Sequence, residues 1–583
     1  MPDNPKTTRC LFCSLMCPVT VKESVAGMVQ MDYVNSNAGF YQGRICYRGH
    51  YLAALLNHPR RLTTARKLPE EATNGDIFKD VLLEAAGAIN QAGAKNSLGV
   101  LISGNLPVEQ IIATARFFQD SVSAKHVGLF IPPGDQAIAD GIAATQPDLA
   151  GLDDLDHAQT ILAIADVLGT HPVLAHKIMA FREKTPKHDL FNIGSITGRT
   201  MRFASQSLRV NVNTESLAVL ALARLANAEL GGIITNAPAL ENLLNQCGSV
   251  RSDLERIVES LKKAENSLIL LTIPPGSTGQ ANLLAAAAGS LAKATNSKLL
   301  PLYSWAGSPG SLALSSYLGL TGTAQWLRTA QQGEFSTILI ADVDLATMIP
   351  TDLWSEVRSQ TKSLIVASAM PTLTAQSADY SLPMAFWFEM NGHVLDHRHN
   401  PIKLTALKNP PGIAATPADL IAQMSTVFDR KPELPNNAVL EKIKSSAAKA
   451  TDSIEVRLPT KPELPADRSA DSKFALVSRT ENLDLYQGGI SRQLDWPLTL
   501  EPTPVVLINP EDAVLRHIDD QDCVSLVNNN KAGKFSVRIN AAVSPGVVAV
   551  SPGIIETRDF YRWNLNGNSI EIESIPVELK VLS

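Results

Sequence analysis

Four of the chain's six cysteines fall within its first fifty residues, at Cys10, Cys13, Cys17 and Cys46. Their spacing, C-x2-C-x3-C-x28-C, puts three thiols on one tight loop and brings the fourth from a distant one. Three-plus-one thiolates can ligate the four irons of a cubane cluster, whereas structural zinc usually takes cysteines as two paired knuckles. The spacing therefore predicts one [4Fe–4S] cluster, with zinc as the alternative. Leu11, Phe12, Leu15, Met16 and Pro18 interleave with the thiols and would wall such a centre off from water. A disulfide framework does not suit a chain of 583 residues. The other two cysteines, Cys247 and Cys523, read as small buried hydrophobes.

Other donor groups are less specific. His393, His397 and His399 surround Asp396 and offer metal-type donors, but the stretch reads as a polar loop before it reads as a metal site. Pro274-Pro275-Gly276-Ser277 follows an apolar run and opens a helix, as an anion-binding turn or a plain one would. No Ser-His-Asp order, H-E-x-x-H or P-loop occurs. The net charge of −6, with no basic run, gives no footprint for nucleic acid. No uninterrupted apolar run approaches a membrane span, and the first ten residues carry no apolar signal core. Together with ligand-type free cysteines, this predicts a cytoplasmic protein.

The elements that must position these groups alternate in type. Strand-like runs at 97–102, 127–131, 160–164, 268–273, 337–341 and 363–368 are separated by helical patterns such as 78–92, 108–121, 171–184 and 280–294. Such alternation predicts a parallel α/β sheet with both faces covered, and polar turns after several strands place loops at the ligand-binding carboxyl edge. A segment rich in proline and charge, 458–472, reads as a linker. Beyond it, short runs of period two at 504–510, 523–528, 534–539 and 546–551 predict an all-β barrel or sandwich.

The cysteine head and its continuation, with Arg48, Asn57, His58, Pro59, Arg61 and Leu62, resemble the molybdopterin oxidoreductase family. That family includes formate dehydrogenases, formylmethanofuran dehydrogenase and the large iron–sulfur subunit of complex I. The resemblance continues through Ala378, Asp379, Leu382, Pro383, Glu389, Gly392 and Val394, and through Asn509, Pro510, Glu511, Asp512 and Ala513. It implies an α/β chain with an N-terminal [4Fe–4S] domain at 1–60, two interleaved α/β parallel-sheet domains at 61–445, a linker at 446–472 and a C-terminal double-psi β-barrel at 473–583. It also implies cofactor contacts at Arg48, His171, Pro172, Gly488, Gly489, Asn509 and Asp512, and metal ligation by Cys10, Cys13, Cys17 and Cys46.

Departures from the family pattern shape the functional expectation. The position of the protein ligand to molybdenum falls on Gly134, with Asp135 beside it, and no cysteine lies between Cys46 and Cys247. The family's Gly-Ser-Asn turn is replaced by Ala165, Asp166 and Val167, and its Asp-Pro-Arg by Gly194, Ser195 and Ile196. Glycine lets backbone N–H groups approach a phosphate, and an aspartate repels it. These losses argue against molybdopterin guanine dinucleotide. They predict an iron–sulfur electron-transfer and scaffold subunit that lacks molybdenum and its own active site. Its partners would be redox subunits carrying flavin or iron–sulfur clusters. The alternative is an active molybdenum or tungsten bis-pterin oxidoreductase, such as a formate dehydrogenase or formylmethanofuran dehydrogenase.

Overall fold

The computed structural model describes residues 5–582 apart from 25–27, 34–38, 69–76, 185–187, 274–275, 277–279, 429, 436, 445–452, 458–472, 480–489, 491–492, 495–498, 500, 529–530, 553 and 567–568. Two parallel sheets form its centre. Sheet I runs in the order Lys298–Leu302, Ser267–Thr272, Thr160–Ile164, Asp189–Gly194, Gln206–Arg209, with every pair parallel. Sheet II runs in the order Arg66–Lys67, Tyr380–Pro383, Ser363–Ser368, Thr337–Ala341, Leu98–Ser103, His126–Phe130, parallel except for its first pair. The chain starts sheet II, builds sheet I, and returns to finish sheet II. Central strands such as Thr160–Ile164 and Thr337–Ala341 are buried at every residue, which is why they read as unbroken apolar runs. Helices such as Ile77–Ala94 and Ala281–Ala294 cover the faces.

In each sheet the first of the parallel strands lies inside the sheet and not at an edge. In sheet I, Thr160–Ile164 separates strands that follow it in opposite directions, and in sheet II Leu98–Ser103 does the same. The loops beyond such a strand diverge and leave a crevice at the carboxyl edge.

The last part of the chain is β-rich. Six strands pair in the order Ala475–Ser478, Val547–Val550, Val505–Ile508, Lys531–Ile539, Cys523–Asn528, Glu578–Val581. An antiparallel bridge between Phe474 and Val577 joins the two outer strands, with N–H to O distances of 2.8 and 3.0 Å. The sheet thereby closes into a barrel and leaves no open edge there. Within 446–472, Ile454–Glu455 pairs in parallel with Ile234–Thr235.

The N-terminal head corrects one expectation. It is a three-stranded antiparallel sheet, Lys6–Arg9, Pro18–Glu23 and Val29–Asp32, with Cys10 to Cys17 in its first connection. Cys10, Cys13, Cys17 and Cys46 line one cavity of about 300 Å³ with Phe12, Leu15, Ile45 and Val173. Among the described residues, no three or more His, Cys, Asp or Glu side chains converge as holders of a metal ion. The thiols ring an apolar space without meeting at one point. Burial pushes Cys10 and Cys17 well above the usual thiol range and Cys13 up to about 11. The expected [4Fe–4S] cluster, its domain and the iron–sulfur and metal-binding character drawn from them are therefore not supported. The head is a small β-sheet packed on an apolar thiol pocket.

Candidate functional site

The crevice of sheet I is a cleft of about 800 Å³, here cleft I. Its walls come from the residues after three strands: Ala165 and Asp166, then Gly194, Ser195 and Ile196, then Thr272 and Ile273. Asn213, Glu215 and Gln280 add polar groups, and Val477 and Ser478 of the barrel close it from above. The Ser478 hydroxyl donates to the Gly276 carbonyl at 2.6 Å, and the Ala542 carbonyl accepts from Thr197 N at 2.9 Å and from Arg209 at 3.0 Å. These bonds seat the barrel on the carboxyl edge of sheet I.

Cleft I is acidic and rich in carboxamides, and none of its described lining residues is a lysine or arginine. Burial raises the Glu215 carboxyl above its ordinary range, although Ser195 N donates to it at 3.1 Å. Among the described residues the Gln280 Oε1 atom is buried without a hydrogen-bond partner, although its Nε2 donates to the Glu455 carbonyl. A buried acceptor left unpaired is costly unless a ligand supplies the donor. Asp166 turns its Oδ1 inward, where it accepts from Thr200 N at 2.8 Å and Thr200 Oγ1 at 2.7 Å.

Sheet II carries a second, smaller and much narrower crevice at the matching place, here cleft II. Its walls come from the ends of the strands Leu98–Ser103, Thr337–Ala341 and Ser363–Ser368, with Trp305, Met348 and Ile490. The local geometry repeats that of cleft I. Ala165 and Asp342 each follow a central strand with positive φ, 65° and 58°. Two clasps also correspond. Thr374 donates to Asp344 through N at 3.0 Å and Oγ1 at 2.8 Å, as Thr200 does to Asp166. The N–H two residues after each aspartate, at Leu168 and Ala346, donates to the threonine hydroxyl at 2.9 and 2.8 Å.

Residues 475–569, which roof cleft I, match the model of the molydopterin dinucleotide binding domain. No curated protein matches the sequence. Acetylene hydratase from Pelobacter acetylenicus superposes with a TM-score of 0.69 over 96% of this chain and 93% of its own length, at 12% identity. The chain has the molybdopterin-oxidoreductase fold. At that identity the likeness is one of architecture.

Within this fold the sequence-predicted residues separate into groups. Arg48 is buried and donates to the carbonyls of Thr170 and Phe12. His171 is buried between the Tyr303 carbonyl, 3.0 Å from Nε2, and the Thr170 hydroxyl, 2.9 Å from Nδ1. Burial and the nearby Arg48 charge depress its pKa to about 3, so the ring is neutral. Pro172 lines the thiol cavity. Asn509 caps the helix Pro510–Leu515 and donates to the Val543 carbonyl at 2.8 Å, while Asp512 accepts from Gly546 N at 2.6 Å. Gly488 and Gly489 lie outside the described residues. Arg61 and Glu389 form a bidentate buried pair at 2.9 and 2.6 Å that ties the head to the loop after sheet II.

The expected metal-ligand position is closed. A Cβ on Gly134 would lie 2.4 Å from the Ile273 carbonyl oxygen. Asp135 is fully buried and accepts from Ser304 N at 2.7 Å, Trp305 N at 3.0 Å and Ser308 Oγ at 2.5 Å. The histidine patch also divides. His393 pairs with Glu109 at 2.6 Å, and His397 meets the Ala150 carbonyl at 2.6 Å. Sequence reading missed Glu215 and Asp342. An acid opening an apolar helix (Thr214-Glu215) and an acid directly after a buried strand were available signals. It also missed that Ile-Ala-Asp-Val occurs twice, at 164–167 and 340–343.

Proposed function

We propose that this chain binds two pterin dinucleotides, one reaching into each cleft. It would then belong to the molybdenum or tungsten bis-pterin oxidoreductases, the class of formate dehydrogenases and formylmethanofuran dehydrogenase. The observation that carries this reading is the pair of corresponding clefts at the two sheet edges, with the matched dinucleotide-binding segment over cleft I. A scaffold without cofactor would have no need to keep two matching crevices. The residues suit such a ligand. Gln280 Oε1 and Glu215 offer acceptors to a base or pterin edge, and Asp166 directs charge into its own turn.

When bound, the pterin-held metal would supply two-electron chemistry. The chain's share would be to orient the dinucleotides and exclude water. Neither Gly134 nor Asp135 can serve as the metal's side-chain ligand in this arrangement. Electrons would leave through partner subunits that carry flavin or iron–sulfur centres. No helix among the described residues is long and apolar enough to cross a membrane.

The test is to purify the chain from a host that makes pterin dinucleotides and measure extractable pterin, molybdenum and tungsten. About two pterins and one metal per chain are expected. Protein that is folded but free of pterin would overturn the reading. Because acetylene hydratase shares the fold, formate oxidation and alkyne hydration should both be assayed on the loaded protein.

A further inference from the structure

A groove that shares no lining residue with either cleft runs between the barrel and two helices beside sheet II, Thr323–Gln331 and Thr351–Gln360. It has room for about 720 Å³. Five consecutive residues of the strand Tyr561–Asn566, from Tyr561 to Leu565, line it. Side chains alternate between the two faces of a strand, so five neighbours in one wall mean that the groove follows the strand's edge.

That edge is free. The strand pairs with Ser569–Ser574 alone, antiparallel. Ile575 N donates to the Phe560 carbonyl at 2.9 Å, which makes 560 and 575 a hydrogen-bonded pair. In the alternating ladder, Arg562 and Asn564 therefore bond to the partner strand, while Tyr561, Trp563 and Leu565 turn their N–H and C=O groups outward. Among the described residues no hydrogen bond reaches the outward groups of Trp563 and Leu565. An unpaired edge of this kind is a template for a further strand.

Two side chains of the groove also lack partners among the described residues. Asn528 is 8% exposed, and its Nδ2 has no acceptor. Arg562 stands opposite Glu573 in the register but makes no ion pair. Other polar groups in the wall are held: Lys531 pairs with Asp352 at 2.7 Å, Gln331 donates to Glu356 at 2.6 Å, and Thr351 donates to Asp559.

We propose that this groove takes an extended peptide segment of a partner protein, added antiparallel to Tyr561–Asn566 as a third strand. With helices walling its far side, the groove suits a single chain and not the edge of a second sheet, which would bring its own covering layer. Segment residues opposite Trp563 and Leu565 exchange N–H···O bonds with them. Their side chains fall on the face where Trp563 and Leu565 pack with Leu353, so they are apolar. The residue between them falls on the face of Arg562, where an acid is favoured. The occupant is thus apolar at two positions that flank an acid, and its carbonyls offer the acceptor that Asn528 lacks.

The test is isothermal titration calorimetry of the full chain with the peptide acetyl-Thr-Val-Glu-Val-Thr-amide. One control peptide is N-methylated on both valines and another on the glutamate. The parent and the glutamate-methylated peptide should bind alike. Methylating the valines removes the two N–H groups that face the edge and should weaken binding about tenfold or more. Lysine in place of the peptide's glutamate should weaken it about threefold, and Arg562→Ala should erase that difference. Leu565→Pro removes an outward N–H but spares the ladder to Ser569–Ser574, and should weaken the parent peptide about tenfold. If that variant does not fold, Arg562→Ala and the methylated peptides still decide. No binding of the parent peptide, equal binding by the two methylated peptides, or a folded Leu565→Pro variant that binds like the parent would each overturn the proposal. A chain that dimerises by itself in analytical ultracentrifugation, and is made monomeric by the peptide, would assign the edge to a second copy and overturn the partner reading.

Discussion

Asp135 and Asp342 both lie near the sheet edges, but Asp135 is fully buried and Asp342 only partly so. Asp135 has three donors and works as a knot between the helix Pro133–Thr145 and the 304–308 loop. Asp135→Ala should cost about 3 kcal/mol in urea unfolding, because two backbone N–H groups lose their acceptor. Cofactor content per folded chain should stay unchanged if the residue is a knot and not a ligand. Asp342 makes a pH prediction. Its folded pKa of about 7 lies above the ordinary value of 3.8, so the folded state holds the extra proton between those values. Stability from this group is therefore present at low pH and lost as pH rises through about 7. Asp342→Asn should melt progressively higher than the parent as pH rises from 4 to 7. Differential scanning calorimetry across that range checks it, and a constant offset would show that the group does not titrate there. His171 contributes in the other direction, gaining stability as pH rises above about 3, and is common to both proteins.

At the scale of elements, the sheet edges depend on close approaches and on paired clasps. The loop after the strand Ser267–Thr272 passes so near Gly134 that no side chain fits. Gly134→Cys, which would restore a sulfur at the expected ligand position, should therefore lose stability, on the order of 1–3 kcal/mol. It should bring no gain in bound metal, as elemental analysis of the pterin-loaded variant can show. The two Asp–Thr clasps predict coupling of similar size in two distant places. Double-mutant cycles on Asp166–Thr200 and Asp344–Thr374 should each return about 1–3 kcal/mol. A coupling near zero in one clasp would mean that its aspartate answers to the ligand instead of the turn.

Across the whole molecule, the barrel is fastened to both sheets. Near sheet I it uses Ser478 and Ala542. Near sheet II, Asp559 accepts from Thr351 N and Oγ1, both at 2.6 Å, Lys531 pairs with Asp352 at 2.7 Å, and Arg558 donates to the Ala346 carbonyl. Asp559→Ala should loosen this fastening by about 1–3 kcal/mol. Limited proteolysis should then cut the chain ahead of the barrel faster, while denaturant unfolding of the two sheets changes little. Bound dinucleotide, held between barrel and sheets, should restore the parent rate.

The strand and helix pattern, the parallel sheets and the late switch to β-structure were legible in the sequence because buried parallel strands and amphipathic helices leave their periods in the residues. The segments that wall cleft I were legible as well, since Ala165 to Val167 and Gly194 to Ile196 could be placed by motif. What the residues around each group would do could not be read in this way. The spacing of the four cysteines predicted a convergent centre, but whether thiols meet or merely ring a cavity depends on how hairpin and helix pack. Asp135 read as a loop-capping or solvated residue with a carboxylate ligand as the lesser reading, and only a loop about 170 residues away, at sequence separations of 169, 170 and 173, supplied the three donors that hold it. Asp342 drew no reading at all, because lining a cleft is a property of everything folded around a residue. Periodicity is local and survives in one dimension; hydrogen-bond satisfaction and convergence are sums over distant segments and exist only once the chain is packed.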